Sequence, residues 1–363
     1  MITFVATQGL GAMDLYSQKL AENLNGPIIW TDHYQRIAEL FNISWFSWKS
    51  LMSLWENWQF VRRLNRLDGI LHLPNHHLGR YGNFLKRPFI ITVHDLIRYF
   101  DWKGFPVSIH KPNCRDRFYL KLDYQGIKKA QKIIAVSQNT KRDLIKYLEI
   151  PEKKISVVYE GVDHNLFKPM KSKRLVNVPY ILFVGSEHPR KNLVSLLKAF
   201  KKLKEEKRFK DLKLVKVGKA GGKEADFRKQ TREVVQSLGL EKEVIFTEFV
   251  PQEELPLYYS GAECLVFPSL FEGFGFPPLE AMASGCPVIA SNVASLPEIV
   301  GDGGLLVDPH NLNEIVKAIR EVLIDGQLKK ELVLKGLKRA KLFSWKKTAK
   351  ETVEVYKEVE NLL

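Results

Sequence analysis

The sequence predicts an α/β protein of two domains, each a parallel β-sheet with helices on both faces. Three observations predict it. Short β-rich runs alternate with helical stretches along the chain. The runs are apolar almost throughout, as strands covered on both faces are. The length, 363 residues, exceeds one ordinary core, and residues 164–180 form a polar join with two prolines and no strong period. The expected domains are residues 1–168 and 169–342, with a terminal segment 343–363.

In the first half the strand candidates are ITFVAT (2–7), PIIW (27–30), GILHLP (69–74), FIITVHD (89–95), KIIAVS (132–137) and ISVVYEG (155–161). Helical stretches such as 13–24 and 138–148 separate them. In the second half they are YILFVG (180–185), LKLVKVG (212–218), VIFTEF (244–249), CLVFPS (264–269), CPVIAS (286–291) and GLLVDP (304–309), with helices at 191–205 and 311–323 among the connections. In open parallel sheets, ligands bind beyond the carboxyl ends of the strands. Two such domains are expected to face a cleft, with functional residues just after strands.

Composition excludes other classes. Hydrophobic residues make up 45% of the chain, too many for a disordered protein. Cys114, Cys264 and Cys286 are sparse and lack a C-x-x-C spacing, which argues against a disulfide framework or structural zinc. The start, MITFVATQGLGAMD, carries no signal-peptide pattern, and no run is long enough to span a bilayer. A cytoplasmic protein, peripheral to a membrane at most, is expected. Lys and Arg number 56 against 41 Asp and Glu, a net charge of +15. That excess suits nucleic acid, an anionic membrane or a phosphate-rich substrate.

The most informative segment is CLVFPSLFEGFGFPPLEAMASG (264–285). A strand enters a loop with Gly273 and Gly275. Pro277 and Pro278 suit the first turn of a helix, and Gly285 suits its end. Glu272 then sits on the loop and Glu280 in the first helical turns. Glycines admit a ligand to the backbone, and a helix N-terminus offers N–H groups to an anion. Carboxylates accept hydrogen bonds from hydroxyls. A sugar linked to a diphosphate needs all three; a tight strand–helix turn with two solvated glutamates fits the same spacing equally well.

The segment resembles the E-x7-E motif of family-four retaining glycosyltransferases, which have the GT-B fold, two Rossmann-like domains facing a cleft. Glu272 and Glu280 match the two glutamates. The resemblance continues through SLPEIVGDGGLLVDP (295–309), ILFVGSEHPRKNLVSLLKAF (181–200) and VVYEGVDHNLFKP (157–169), with weaker matches at TVHDL (92–96) and AVSQNT (135–140).

The resemblance implies a nucleotide-sugar donor held by the C-terminal domain. Glu280 would hold the ribose hydroxyls and Glu272 would lie against the donor sugar. Gly273, Phe274, Gly275 and Phe276 would offer backbone N–H groups, and Arg190 and Lys191 would neutralise the leaving diphosphate. Some members carry an arginine directly after the strand glycine; this chain has Ser186. In GLGAMD (9–14), Gly9 and Gly11 resemble the loop that approaches the donor phosphate. His94 matches the histidine that faces the donor sugar, a catalytic role shared with Glu272. Asn75 and His76, with His77, are candidates for the acceptor side. The 244–250 region, followed by Pro251, lies where members contact the nucleobase. Segment 343–363 would return as a helix to the first domain.

No D-x-D occurs in the sequence, so a metal-independent, retaining transfer without cofactor is expected. The resemblance favours GDP-mannose as donor, through SEHPRKN, with UDP-glucose next. A glycan or lipid-linked acceptor is implied. Two alternatives stay open: a sugar-nucleotide-binding protein without catalysis, and, from charge alone, a nucleic-acid binder, which no nucleic-acid module supports.

Trp45, Trp48, Trp55 and Trp58 crowd into residues 43–67, with Trp48, Met52 and Trp55 at helical steps and Lys49, Arg62, Arg63 and Arg66 nearby. This reads either as an interfacial amphipathic helix on an anionic membrane or as a helix packed on its own sheet. A second basic region, residues 98–154, contains Arg98, Lys103, Lys111, Arg115, Arg117 and Lys121.

Overall fold

The apolar runs become strands in two six-stranded, all-parallel sheets. The structure, a computed structural model, describes residues 2–7, 11–31, 48–105, 111–170, 175–218 and 224–362. Contacts divide the chain into two compact units, Met1–Gly161 with Trp345–Leu363, and Val162–Ser344. Residues 162–168, placed above in the first domain, lie in the second unit. Val162 forms a β-bridge with Ser344, and the Phe167 ring sits 6.2 Å from that of Tyr259. Tertiary pairing moved this boundary, which local composition does not register.

In the first unit β1 (Ile2–Thr7), β2 (Ile28–Thr31), β3 (Ile70–Leu73), β4 (Phe89–Val93), β5 (Lys132–Ala135) and β6 (Ile155–Val157) lie in the order β2-β1-β3-β4-β5-β6. The strand order reverses beside β1. The helix Trp345–Glu360 lies against this sheet: Val355, Tyr356 and Val359 bury against Ile70, Ile90 and Ile134. Each such burial contributes about 1.5–3 kcal/mol. The helix is also held by polar bonds. Tyr356 Oη is 2.6 Å from His72 Nδ1, and Thr348 donates to the Tyr159 carbonyl at 2.8 Å.

In the second unit β7 (Tyr180–Val184), β8 (Lys213–Val217), β9 (Val244–Phe246), β10 (Cys264–Phe267), β11 (Val288–Ser291) and β12 (Leu305–Val307) lie in the order β12-β11-β10-β7-β8-β9. The helices Leu193–Lys204 and Leu312–Ile324 share one apolar core on this sheet. This is the doubly wound order with its switch point between β7 and β10, where loops leave the sheet in opposite directions and open a crevice. The sequence places its two strongest motifs directly after those two strands.

Candidate active site

The loop after β7 carries Arg190 and Lys191 on the short turn Pro189–Lys191; the loop after β10 carries Glu272. Leu270 N–H donates to the Arg190 carbonyl at 2.7 Å and stitches the loops together. Glu272 is 8% exposed. Its Oε1 accepts from Arg190 Nη1 at 3.0 Å and from Ser269 Oγ at 2.6 Å, and lies 2.8 Å from Lys191 Nζ. Its Oε2 accepts no bond from any described residue. Burial pushes the pKa of this carboxyl up, but Lys191 and Arg190 outweigh burial and hold it at about 2. Glu272 is therefore a fixed anion with one oxygen to spare. The Arg190 guanidinium also bonds the Phe271 carbonyl at 3.1 Å, and Lys191 Nζ sits 4.9 Å from the Phe267 ring centroid.

Gly275 caps the helix Phe276–Ala283 with φ +121°, a conformation suited to glycine, and a Cβ there would meet Leu296 Cδ2 at 2.9 Å. Pro277 follows in the first turn. Buried Ser295 steadies the loop, its Oγ lying 3.0 Å from the Glu272 carbonyl and 2.6 Å from that of Phe274. The Phe274 ring, itself buried, meets Phe276 at 5.5 Å and Phe343 at 6.1 Å.

Glu280 projects from the same helix, 7% exposed, and accepts from Tyr259 Oη at 2.7 Å through Oε2. Among the described residues Tyr259 is its hydrogen-bond partner, and no cation pairs with it. Burial therefore dominates and raises its pKa to about 7, against the lowering by Tyr259.

Sequence reasoning missed a second charged cluster on the same sheet edge. Lys216, fully buried at the end of β8, lies 2.6 Å from Glu187 Oε1, and Arg228 Nε lies 2.7 Å from the same oxygen. Arg228 also bonds Glu248 at 2.7 and 2.8 Å and the Gly218 carbonyl at 2.6 Å. Glu187 Oε2 is buried without a partner. The cluster fixes the residue three positions before Arg190. Its signal was a lysine inside the apolar run LKLVKVG, since a charge buried in a strand needs a partner.

In the first unit His94 follows β4. Its Nδ1 lies 2.8 Å from Glu160 Oε1 and its Nε2 lies 2.9 Å from the Pro74 carbonyl. A carbonyl only accepts, so Nε2 carries the proton, while Nδ1 and Glu160 share another. Burial lowers the His94 pKa, but the bond and charge of Glu160 outweigh it and raise the imidazole above its usual value. With both nitrogens engaged, this ring is held in one orientation and shares its Nδ1 proton with Glu160, whose own pKa burial pushes up. Glu160 escaped the sequence reading although it stands in VVYEG.

His76 Nδ1 accepts the His94 backbone N–H at 3.3 Å, and burial with the His94 charge pushes its pKa down to about 3. Asn75 is buried and caps the turn His76–Leu78, its Oδ1 accepting from His77 N–H at 2.9 Å. Gly11 is exposed at the start of the helix Ala12–Asn23, its N–H bonded to Asp14 Oδ2 at 3.3 Å. Gly9 lies outside the described residues, as do Trp45 and the side chains of Trp48, Lys49 and Met52. The described part of the tryptophan-rich helix, Trp48–Leu64, shows both tendencies: Phe60 and Leu64 are buried, while Trp55 and Trp58 are 60% and 55% exposed.

Comparison with known proteins gives the family. Residues 167–339 match the model of glycosyl transferases group 1, and residues 11–166 that of glycosyltransferase family 4. The chain is 33% identical to the O-antigen chain mannosyltransferase B of Escherichia coli over 298 residues, 80% of this chain and 74% of that protein. It is 29% identical over 272 residues to the serotype-specific mannosyltransferase WbdA of Escherichia coli, covering 72% of this chain but 32% of that longer protein. The structure of Anabaena HepE in complex with UDP-glucose superposes with a TM-score of 0.79 at 20% identity, covering 98% of this chain and 99% of that one. With Glu272 and Glu280 set at the switch point of a doubly wound sheet, the chain belongs to the group 1, family 4 glycosyltransferases and has the GT-B fold.

Proposed function

We propose that this glycosyltransferase moves mannose from GDP-mannose to a glycan or lipid-linked acceptor, with retention at the anomeric carbon and without a metal. The carrying observation is the pairing of an ionised Glu272 with Arg190 and Lys191 beside the protonatable Glu280. Glu280 takes the ribose hydroxyls, as acceptors of its kind do. Glu272 takes a hydroxyl of the donor sugar through Oε2 while its Oε1 keeps the two cations in place. Those cations meet the charge that grows on the diphosphate as the glycosidic bond breaks, and each such preorganised contact lowers the barrier by about 3–4 kcal/mol. The leaving phosphate oxygen accepts the acceptor proton on the same face. His94, held in one orientation by Glu160 and Pro74, is the catalytic residue of the first unit in this reading. The N–H groups of residues 273–276 complete the donor contacts.

The mannosyl assignment draws on the two relatives named as mannosyltransferases. Purified protein with GDP-mannose, UDP-glucose and a mannosylated acceptor, with and without EDTA, tests it. Transfer from GDP-mannose that survives EDTA and yields an α-linked product by NMR is expected. Preference for UDP-glucose, or loss of transfer on chelation, overturns donor or metal independence respectively. Tight, steeply salt-dependent binding of generic DNA would revive the nucleic-acid alternative.

A further inference from the structure

One apolar cavity, about 270 Å³, lies among the described residues of the first unit. Its walls come from three separate pieces of chain: Trp58 and Val61 of the helix Trp48–Leu64, Tyr81 and Phe84 after β3, and Phe118 and Leu122 of the helix Cys114–Lys129. Asn65, one turn beyond Val61, ties the pieces together by accepting from Lys86 N–H at 2.8 Å and donating to the Phe84 carbonyl at 3.1 Å. The polar atoms of the wall bond within the protein. Arg80 forms a two-armed pair with Asp123 at 2.8 and 2.7 Å and lies 4.7 Å from the Tyr119 ring centroid, and Tyr81 Oη donates to Asn57 at 2.7 Å. What faces outward is hydrocarbon and aromatic ring. A sugar or nucleotide needs convergent polar groups; a hydrocarbon chain needs none.

The surroundings name the owner of that chain. Trp58, Phe84 and Phe118, which line the cavity, are 55%, 59% and 48% exposed, and Trp55, three residues before Trp58 on the same helix, is 60% exposed, unusual for large aromatics. Arg62, Arg63, Arg66, Lys86, Arg117 and Lys121 are exposed on the same elements, and Arg62 lies 5.2 Å from the Trp58 ring centroid. Acids there are fewer: Glu56, Asp116, and Asp68, which pairs with Arg87. Aromatic side chains ringed by cations match a bilayer interface with anionic headgroups, where rings insert and cations meet phosphate.

We propose that this face seats the protein on an anionic phospholipid bilayer and that the cavity receives the end of one lipid acyl chain. The proposal deepens the reading of a lipid-linked acceptor, but the binding it describes needs no donor and no turnover. It is tested by floating the full-length protein with vesicles of phosphatidylcholine, with and without about one third phosphatidylglycerol, and by vesicles whose acyl chains carry bromine, which quenches nearby tryptophan. Flotation with anionic vesicles and bromine quenching are expected for the wild type. The double change Phe84→Ser with Phe118→Ser, at exposed positions, is expected to lower partitioning on the order of tenfold or more, and Trp55→Phe with Trp58→Phe to remove most of the quenching. Nucleotide-sugar hydrolysis in solution stays unchanged in both. No flotation, flotation indifferent to the two serines, or binding that salt abolishes without any quenching each overturns the proposal. Intact vesicle binding with no transfer from any donor counts instead against the enzymatic reading.

Discussion

Glu272 and Glu280 stand in one motif on neighbouring elements, and both are buried, yet their environments oppose each other. Glu272 has two cations and a hydroxyl on one oxygen, and its pKa falls to about 2. Glu280 has one phenol and no cation, and its pKa rises to about 7. Burial acts the same way on both; the cations decide the difference. A carboxylate kept charged at every working pH suits a fixed role beside the reacting sugar. A carboxylate near its titration point couples its charge to whatever binds it.

A third buried carboxylate extends the comparison. Glu187 has two cation partners, Lys216 and Arg228, as Glu272 has, but one of its oxygens is sealed from solvent. If its role is to brace the Arg190 loop, Lys216→Met leaves a buried charge short of a partner. A loss of about 3–5 kcal/mol is expected, read as a fall in Tm, and Glu187→Leu added to it is expected to recover much of the loss. A Tm unmoved by Lys216→Met would remove the distinction between bracing and catalytic carboxylates.

Glu272→Gln keeps the shape of the side chain and removes its charge. Turnover is expected to drop about 100- to 1000-fold, with a smaller change in nucleotide affinity. A variant that loses nucleotide binding and keeps turnover would reverse the roles of the two glutamates.

The sheets, and the loop and helix that carry Glu272 and Glu280, were legible in the sequence for a shared reason: both depend on short-range pattern. Apolar runs mark strands, and prolines and glycines mark where the helix of Glu280 begins and ends. What escaped was long-range pairing. His72 in GILHLP, Lys216 in LKLVKVG and Glu160 in VVYEG each stand in or just after a strand, with partners 284, 29 and 66 positions away for Tyr356, Glu187 and His94. A polar residue in an apolar strand announces that a partner exists without naming it. The engagement of both His94 nitrogens belongs to the same class, and so does the move of residues 162–168 into the second unit.

Glu280→Gln is expected to weaken binding of the nucleoside diphosphate by about 1.5–3 kcal/mol, the worth of hydrogen bonds to a charged group. In the wild type the charge must be present for those bonds. Without ligand, Glu280 is protonated below about 7, so binding there releases a proton, and affinity falls about tenfold per pH unit below that point and levels off above it. The unliganded fold behaves oppositely: this group costs stability as pH rises from its ordinary value of 4.5 through about 7. Calorimetry in buffers of different ionisation heat reads the released proton directly, and Glu280→Gln is expected to abolish it.

Tyr259→Phe makes the smallest change and the finest test. The phenol donates to Glu280 at 2.7 Å, and the ring is fully buried. Removing one hydroxyl leaves the packing intact and takes away the bond that favours the charged carboxylate. Burial then acts on Glu280 with nothing to oppose it, so its pKa rises further. At high pH the variant is expected to bind nucleotide almost as tightly as the wild type. The pH at which affinity begins to fall shifts upward, and near neutrality the loss is about 1 kcal/mol. A shift downward, or a uniform loss at every pH, would mean that Tyr259 acts by shaping the pocket and that the environment of Glu280 is set by something other than the balance of burial against one hydrogen bond.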